Sequence, residues 1–137
     1  MKTAGYSKTP LAKKLGIKEG YVMMVVNEPE HYMSLFGDFP ENVERKKKLD
    51  SESFDFIHVF VQNHVQLQRI VQMVKPALKK SGILWVSWPK GTSKIQSELK
   101  REPIREHLLK TELVDIKVCA VDEDWSGLKF MYRKENR

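Results

Sequence analysis

Polar side chains follow three apolar runs of this sequence. In an open α/β sheet, ligands collect at the carboxyl ends of parallel strands, near the point where the strand order reverses. Three short segments hold such positions, namely 27–28, 62–64 and 87–90. We therefore expect them to meet at one edge of a sheet and form a binding site. The candidate ligand-binding residues are Asn27, Glu28, Asn63, Ser87, Trp88, Lys90, Trp125 and Ser126.

The segment after Lys90 has two interpretations. Lys90 is followed by Gly91, Thr92 and Ser93, and a lysine beside a flexible, hydroxyl-bearing loop is able to hold an anion. Alternatively, Thr92 or Ser93 caps a helix that starts near Lys94, and helix-capping preferences favour this second interpretation.

Two tryptophans lie three residues apart and should face opposite sides of a strand. Trp88, beside Pro89, is the candidate for a stacking wall, although packing at the edge of the core explains it equally well.

Trp125 lies in an acidic loop, 122–127, that could close over a ligand or contact a protein partner. Simple turn chemistry is favoured there, with Gly127 at positive φ and Trp125 covering the sheet edge. Asn63 is interpreted first as a helix N-cap.

The titratable residues do not suggest catalysis or metal binding. His58 is flanked by Ile57 and Val59, as expected of a hydrogen-bonded core histidine. The other histidines lack the spacing to Asp, Glu or Cys that zinc requires, so no metal is predicted. Cys119 is the only cysteine and is expected to be a buried structural thiol. No catalytic triad, carboxylate pair or phosphate-binding loop is present in the sequence.

Hydrophobic periodicity places these candidates on alternating strands and helices. Strands are predicted over 21–26, 54–62, 83–88, 113–121 and 128–132. Helices are predicted over 10–15 with Thr9 as N-cap, from Glu28 to before Gly37, after Asn63 with a break at Pro76, and over 94–110 with a break at Pro103. Residues 79–82 would be the last turn and glycine stop of the third helix, and 38–53 a mobile loop with a short edge strand near Val43.

The connections predict the topology. Strands separated by helices should be parallel, whereas the six residues 122–127 suit a hairpin and should make the last pair antiparallel. The expected fold is a three-layer, Rossmann-like α/β domain with a mostly parallel sheet and a C-terminal antiparallel hairpin. At 137 residues, one domain over 1–137 is expected.

Composition restricts the partners. No stretch approaches the roughly 20 apolar residues that span a bilayer, and the N-terminus lacks the apolar core of a signal peptide, so a cytoplasmic protein without membrane contact is expected. The formal charge of +6 favours encounters with anions. However, the basic residues are dispersed and do not alternate with aromatic side chains, so nucleic acid is not the expected partner.

Parallel strands closed by an antiparallel hairpin are also the order seen in the second half of class I, S-adenosylmethionine-dependent methyltransferases. Residues 78–83 look like the helix-to-strand turn that those enzymes often write as Leu, Lys, Pro, Gly, Gly. Nearly the whole chain resembles a small uncharacterised bacterial family of methyltransferase-like domains, through the segments 5–7 with 9–11, 85–90 and 125–129. That family carries no assigned activity, so the resemblance implies the fold and leaves the function open.

One departure from the methyltransferase pattern decides our hypothesis. A glycine-rich turn is needed after the first strand, because the cofactor approaches the backbone closely. Here Val26 is followed by Asn27, Glu28, Pro29 and Glu30, which disfavours the standard mode for S-adenosylmethionine and leaves room for a cationic or neutral ligand. We therefore expect a domain that binds a small ligand or a protein partner on a degenerate methyltransferase-like fold. The alternatives are a methyltransferase with a divergent cofactor site and a basic nucleic-acid interaction module.

Overall fold

The computed structural model describes residues 10–137, which form a six-stranded mixed sheet with helices on both faces. The strands are β1 (Val22–Val26), β2 (Glu44–Arg45), β3 (Phe54–Phe60), β4 (Leu78–Pro89), β5 (Leu113–Ala120) and β6 (Trp125–Tyr132). The α-helices are α1 (Leu11–Leu15), α2 (His64–Val74) and α3 (Arg101–Leu109), and single-turn 3₁₀ helices cover Met33–Leu35, Lys75–Ala77 and Lys134–Asn136. Within 10–137, no helix is both long enough and apolar enough to cross a bilayer.

The strand order is β2-β1-β3-β4-β6-β5. Strands β1 to β4 pair in parallel with one another, whereas β6 runs antiparallel to both β4 and β5. From β1 the chain goes outward on one side to β2 and then returns to the other side as β3, so the order reverses between β1 and β3. The predicted parallel strands, antiparallel hairpin and edge strand near Val43 are confirmed.

Each face of the sheet buries its own apolar cluster. The periodic residues of α2 and α3 pack on one face, where Leu67, Ile70, Ile104 and Leu108 are at most 6% exposed. The other face is covered by α1 and by the segment after β1, with Tyr32 at its centre. Trp88 belongs to the first cluster and Trp85 to the second, which confirms that the two indoles face opposite sides.

The segment after β1 does not form the predicted α-helix. Its backbone bonds join residues three apart, from the Tyr32 N–H to the Pro29 carbonyl and from the Phe36 N–H to the Met33 carbonyl. These turns bury Tyr32 and Phe36 together, with their rings edge to face at 5.2 Å. Burial of two aromatic rings therefore overrides the acidic, proline-containing start that suggested a helix.

Residues 79–82 belong to β4 and not to the end of a helix. Pro76 ends α2 earlier, because proline lacks the N–H that a helix interior requires, and strand pairing resumes at Leu78 opposite Phe54. Only glycine fits at position 82, because backbone oxygens lie close to its Cα. An added Cβ would lie 2.9 Å from the Lys79 carbonyl oxygen and 3.0 Å from the Phe54 carbonyl oxygen.

Three further predictions concern α3, α1 and Gly127. The predicted helix over 94–110 forms only from Arg101, and Pro103 lies in its first turn, where proline is tolerated. At the other end of the chain, Leu11–Leu15 ends at Gly16 with φ 89° as expected, while Thr9 and the motif residues 5–7 lie outside the described residues. The positive φ predicted for Gly127 is wrong, because this residue lies in β6 and its φ is not positive.

A buried hydrogen-bond network joins the segment after β1 to strands β3 and β4. The His58 imidazole is fully buried on β3, with Nδ1 at 3.0 Å from the Tyr32 hydroxyl and Nε2 at 2.7 Å from Ser87 Oγ. Burial lowers the pKa of His58 to about 3 and raises that of the Tyr32 phenol. The ring is therefore neutral, with one nitrogen donating and the other accepting. The expected core role of His58 is confirmed.

Gly127 allows β6 to lie against Trp85. An added Cβ would lie 3.0 Å from the Trp85 ring and 3.1 Å from Ser87 Oγ, so we expect Gly127→Ala to lower the free energy of unfolding by about 1–3 kcal/mol through overpacking. Gly91→Ala is the matched control, because nothing lies within 4 Å of the added Cβ. Urea denaturation of both variants measures the difference, and equal stabilities would contradict the close approach.

The neutral His58 should make the fold sensitive to acid. The unfolded chain binds this proton near pH 6.5, whereas the folded chain does not until about pH 3, so acidification through this range favours unfolding. Between pH 7 and pH 5 we expect a loss of about 2 kcal/mol in the free energy of unfolding that His58→Gln does not show. NMR spectra of the wild-type imidazole provide an independent measurement, and a ring that is protonated at pH 5 would refute this expectation.

Candidate functional site

A cleft of about 430 Å³ opens at the carboxyl ends of β1 and β3. These are the two strands between which the order reverses, the position where open α/β sheets bind ligands. We call this cavity the switch-point cleft. Its lining residues come from the segment after β1, the end of β3, the start of α2, the segment after β4 and the β5–β6 turn: Asn27, Pro29, His31, Phe60, Gln62, Gln66, Ile95, Asp124 and Trp125.

Asn27 joins the ends of the two central strands. Its backbone takes φ 58°, in the left-handed region, which asparagine tolerates better than most residues. Its side-chain amide donates to the Phe60 carbonyl at 3.1 Å. The turn after β1 thus has a backbone conformation that glycine favours, although a side chain now fills the space beside it.

Glu28 lies beside the switch-point cleft without lining it. Its carboxylate pairs with the Arg45 guanidinium of β2, and both side chains are about one third exposed. The pair ties the turn after β1 to the edge strand and neutralises the charge that Glu28 brings to this end of the sheet.

The start of α2 is ordered by side-chain caps. Asn63 Oδ1 accepts the Gln66 N–H at 2.8 Å, which confirms the predicted N-cap. In turn, Gln66 Oε1 accepts the Gln62 N–H at 2.7 Å. Gln66 therefore has a fixed position in the wall of the cleft.

A hydrogen bond between two side chains connects the opposite walls of the cleft. His31 Nε2 lies 2.7 Å from Asp122 Oδ2, and the imidazole is about half exposed. Asp122 Oδ1 also accepts the backbone N–H groups of Asp124 and Trp125, each at 2.8 Å. One buried carboxylate therefore shapes the β5–β6 turn and attaches it to the segment after β1.

Trp125 lines the cleft and packs against Phe60. It is 6% exposed and meets the Phe60 ring edge to face, with 4.9 Å between centroids. The indole is thus mainly a packing residue, with one edge in the cleft. Ser126 follows it in β6, pairs with Trp88 and Ala120, and lines neither this cleft nor the cavity beyond it.

A second cavity, of about 540 Å³, lies beyond the end of β4 and shares Ile95 with the switch-point cleft. Trp88 and Lys90 line this second cavity. Ser87 does not line it, because its side chain is buried and hydrogen-bonded to His58. Ser93 does not cap a helix at Lys94, since no helix forms there; its hydroxyl instead bonds Asp124 Oδ1 at 2.8 Å.

The structure therefore separates the predicted site residues. Asn27 and Trp125 line the switch-point cleft, Trp88 and Lys90 line the second cavity, and Glu28, Asn63, Ser87 and Ser126 support the walls from outside. The sequence pattern did not indicate His31 or Gln66, and it indicated Asp124 only as part of the acidic loop 122–127. The pairing of His31 with Asp122 spans 91 positions and leaves no local spacing to detect. Within 10–137, no group of three or more His, Cys, Asp or Glu is placed to hold a metal ion.

No protein-family model and no curated protein matches the sequence. Solved structures do match. A SAM-dependent methyltransferase from Aquifex aeolicus is 15% identical with a TM-score of 0.60, over 90% of this chain and 88% of that one. A ribosomal protein L11 methylase from Lactobacillus delbrueckii subsp. bulgaricus is 12% identical with a TM-score of 0.58, over 90% and 75%.

A third match is a Burkholderia thailandensis 1,6-didemethyltoxoflavin-N1-methyltransferase, whose structure holds 1,6-didemethyltoxoflavin and S-adenosylhomocysteine. It is 13% identical with a TM-score of 0.52, over 90% of this chain and 75% of that one. At such identities the likeness concerns the fold alone. The described chain has the Rossmann-like fold of class I methyltransferases, as the sequence predicted.

Proposed function

We propose that this chain binds a small polar ligand in the switch-point cleft, without the standard nucleoside-binding mode of its structural neighbours. The observation that carries the proposal is the position of the cleft, at the carboxyl ends of the two strands where the sheet order reverses. The Asn63 cap and the His31–Asp122 hydrogen bond hold its walls in place, which lowers the entropic cost of binding.

The lining favours a neutral or cationic group. Of the residues that line the cleft, only His31 and Asp124 are ionisable, and His31 is already paired with Asp122. The amides of Gln62 and Gln66 add hydrogen-bonding groups, and Asp124 presents a carboxylate. An amine or hydroxyl group therefore matches this lining better than a carboxylate does.

Asn27 disfavours the standard cofactor mode. Its side chain is tied to the Phe60 carbonyl, whereas the standard mode needs a turn without side chains at this point. Pro29 removes a backbone donor from the same turn. The proposal is thus a ligand that contacts the α2 and β5–β6 walls more than the β1 turn.

A methyltransferase with a divergent cofactor site is the second candidate. It is favoured by the fold shared with methyltransferases and by the left-handed backbone at Asn27, which reproduces the conformation that a glycine turn supplies. The basic nucleic-acid module rests on net charge alone and has less support than either.

A thermal-shift panel of amines, nucleosides and acyl carriers tests the first proposal, because a ligand that binds only the folded state raises the melting temperature. We expect a ligand that stabilises the wild type to lose about tenfold in affinity with Gln66→Leu, since one wall amide is lost. Gln68→Leu is the matched control, as Gln68 is exposed on the same helix and lies outside the cleft. Ligands unaffected by Gln66→Leu would place the site elsewhere.

Asn27→Gly separates the two candidates. Glycine keeps the turn at φ 58° without strain and removes the side chain that fills it. We expect calorimetry to show no tight binding of S-adenosylhomocysteine to the wild type and at least tenfold tighter binding to the variant. Tight wild-type binding that weakens in Asn27→Gly, together with transfer of a labelled methyl group, would instead establish the methyltransferase.

A further inference from the structure

The second cavity is strongly basic. Lys90, Lys100 and Arg101 line it, and none of the residues that line it is an aspartate or glutamate. We call it the cationic cavity. It adjoins the switch-point cleft at Ile95, whose side chain contributes to both.

The segment that carries these cations is neither helix nor strand up to Lys100, yet it is anchored at both ends. The Lys90 N–H donates to the Asp124 carbonyl at 2.8 Å, and the Ser93 N–H donates to the Lys90 carbonyl at 3.0 Å. Further along, Ser97 Oγ donates to the Gln62 carbonyl at 2.7 Å. The basic side chains thus extend from a backbone attached to both walls of the neighbouring cleft.

The positive charges are poorly compensated within the protein. Among residues 10–137, neither Lys90 nor Lys100 has a carboxylate within salt-bridge distance. Arg101 pairs only with its neighbour Glu102, and both side chains are more than half exposed, so the pairing is weak. Three like charges around one cavity raise the local potential and favour an anion there.

We propose that the cationic cavity binds the phosphoryl group of the same small ligand whose polar end lies in the switch-point cleft. This inference rests on the proposed function for the cleft end of the ligand. Phosphate suits three basic groups better than a carboxylate does, because its additional oxygens and charge let lysine and arginine contact it from different sides. The ligand class is a phosphorylated small molecule with an amine or hydroxyl at its other end.

Pyrophosphate is the probe for this site, in an NMR titration of the amides at ionic strength held constant with sodium chloride. We expect saturable shifts concentrated at Gly91, Ser93 and Arg101. Lys90→Met should weaken binding about tenfold, because one charge-assisted contact is lost. Lys94→Met removes the same charge from an exposed neighbour that does not line the cavity and should leave the affinity unchanged.

Equal weakening by Lys90→Met and Lys94→Met, or shifts spread over the whole basic surface, would overturn the proposal, since either result means nonspecific attraction. A single-stranded oligonucleotide that displaces pyrophosphate with a steep salt dependence would also overturn it, in favour of nucleic acid. Gln66→Leu distinguishes this proposal from the function of the cleft. It should leave pyrophosphate binding intact, so a failure in the cationic cavity and a failure in the cleft give different results.

Discussion

A neutral histidine inside the sheet links the elements on which the candidate site is built. His58 bonds Tyr32, from the segment after β1, and Ser87, from β4, while its ring stacks on Phe60 at 4.3 Å. Tyr32 adjoins His31, and Phe60 lines the switch-point cleft. A charged imidazole at this position would lack compensation in an apolar cluster. The geometry of the cleft therefore depends on a buried polar network whose members satisfy one another.

One carboxylate organises the loops that surround the site. Asp122 caps the β5–β6 turn through two backbone N–H groups and pairs with His31 across the cleft. The same turn holds the segment after β4 through the Asp124 carbonyl and carboxylate. Loops from three parts of the chain are thereby joined, which holds in place the portions of the cleft that lie outside helices and strands.

The fold is shared with methyltransferases, and the end of β1 carries a defined side-chain arrangement in this chain. The backbone there adopts the left-handed turn that a glycine would supply, and an asparagine side chain then bridges the two central strands. The two adjoining cavities, one with amide groups and the other basic, are consistent with a ligand that carries different groups at its two ends.

The sequence by itself determined the approximate positions of the strands, the parallel sense of the first ones and the antiparallel sense of the final hairpin, because unbroken apolar runs and connection lengths are local properties. It also determined the Asn63 cap and the buried state of His58, since both follow from immediate neighbours. Only the tertiary structure decided the rest. The segment predicted as a helix from Glu28 forms turns that bury Tyr32 and Phe36. His31 forms a hydrogen bond with Asp122, which lies 91 positions away in the sequence. Such outcomes depend on contacts between distant segments, and no local pattern of residue types encodes them.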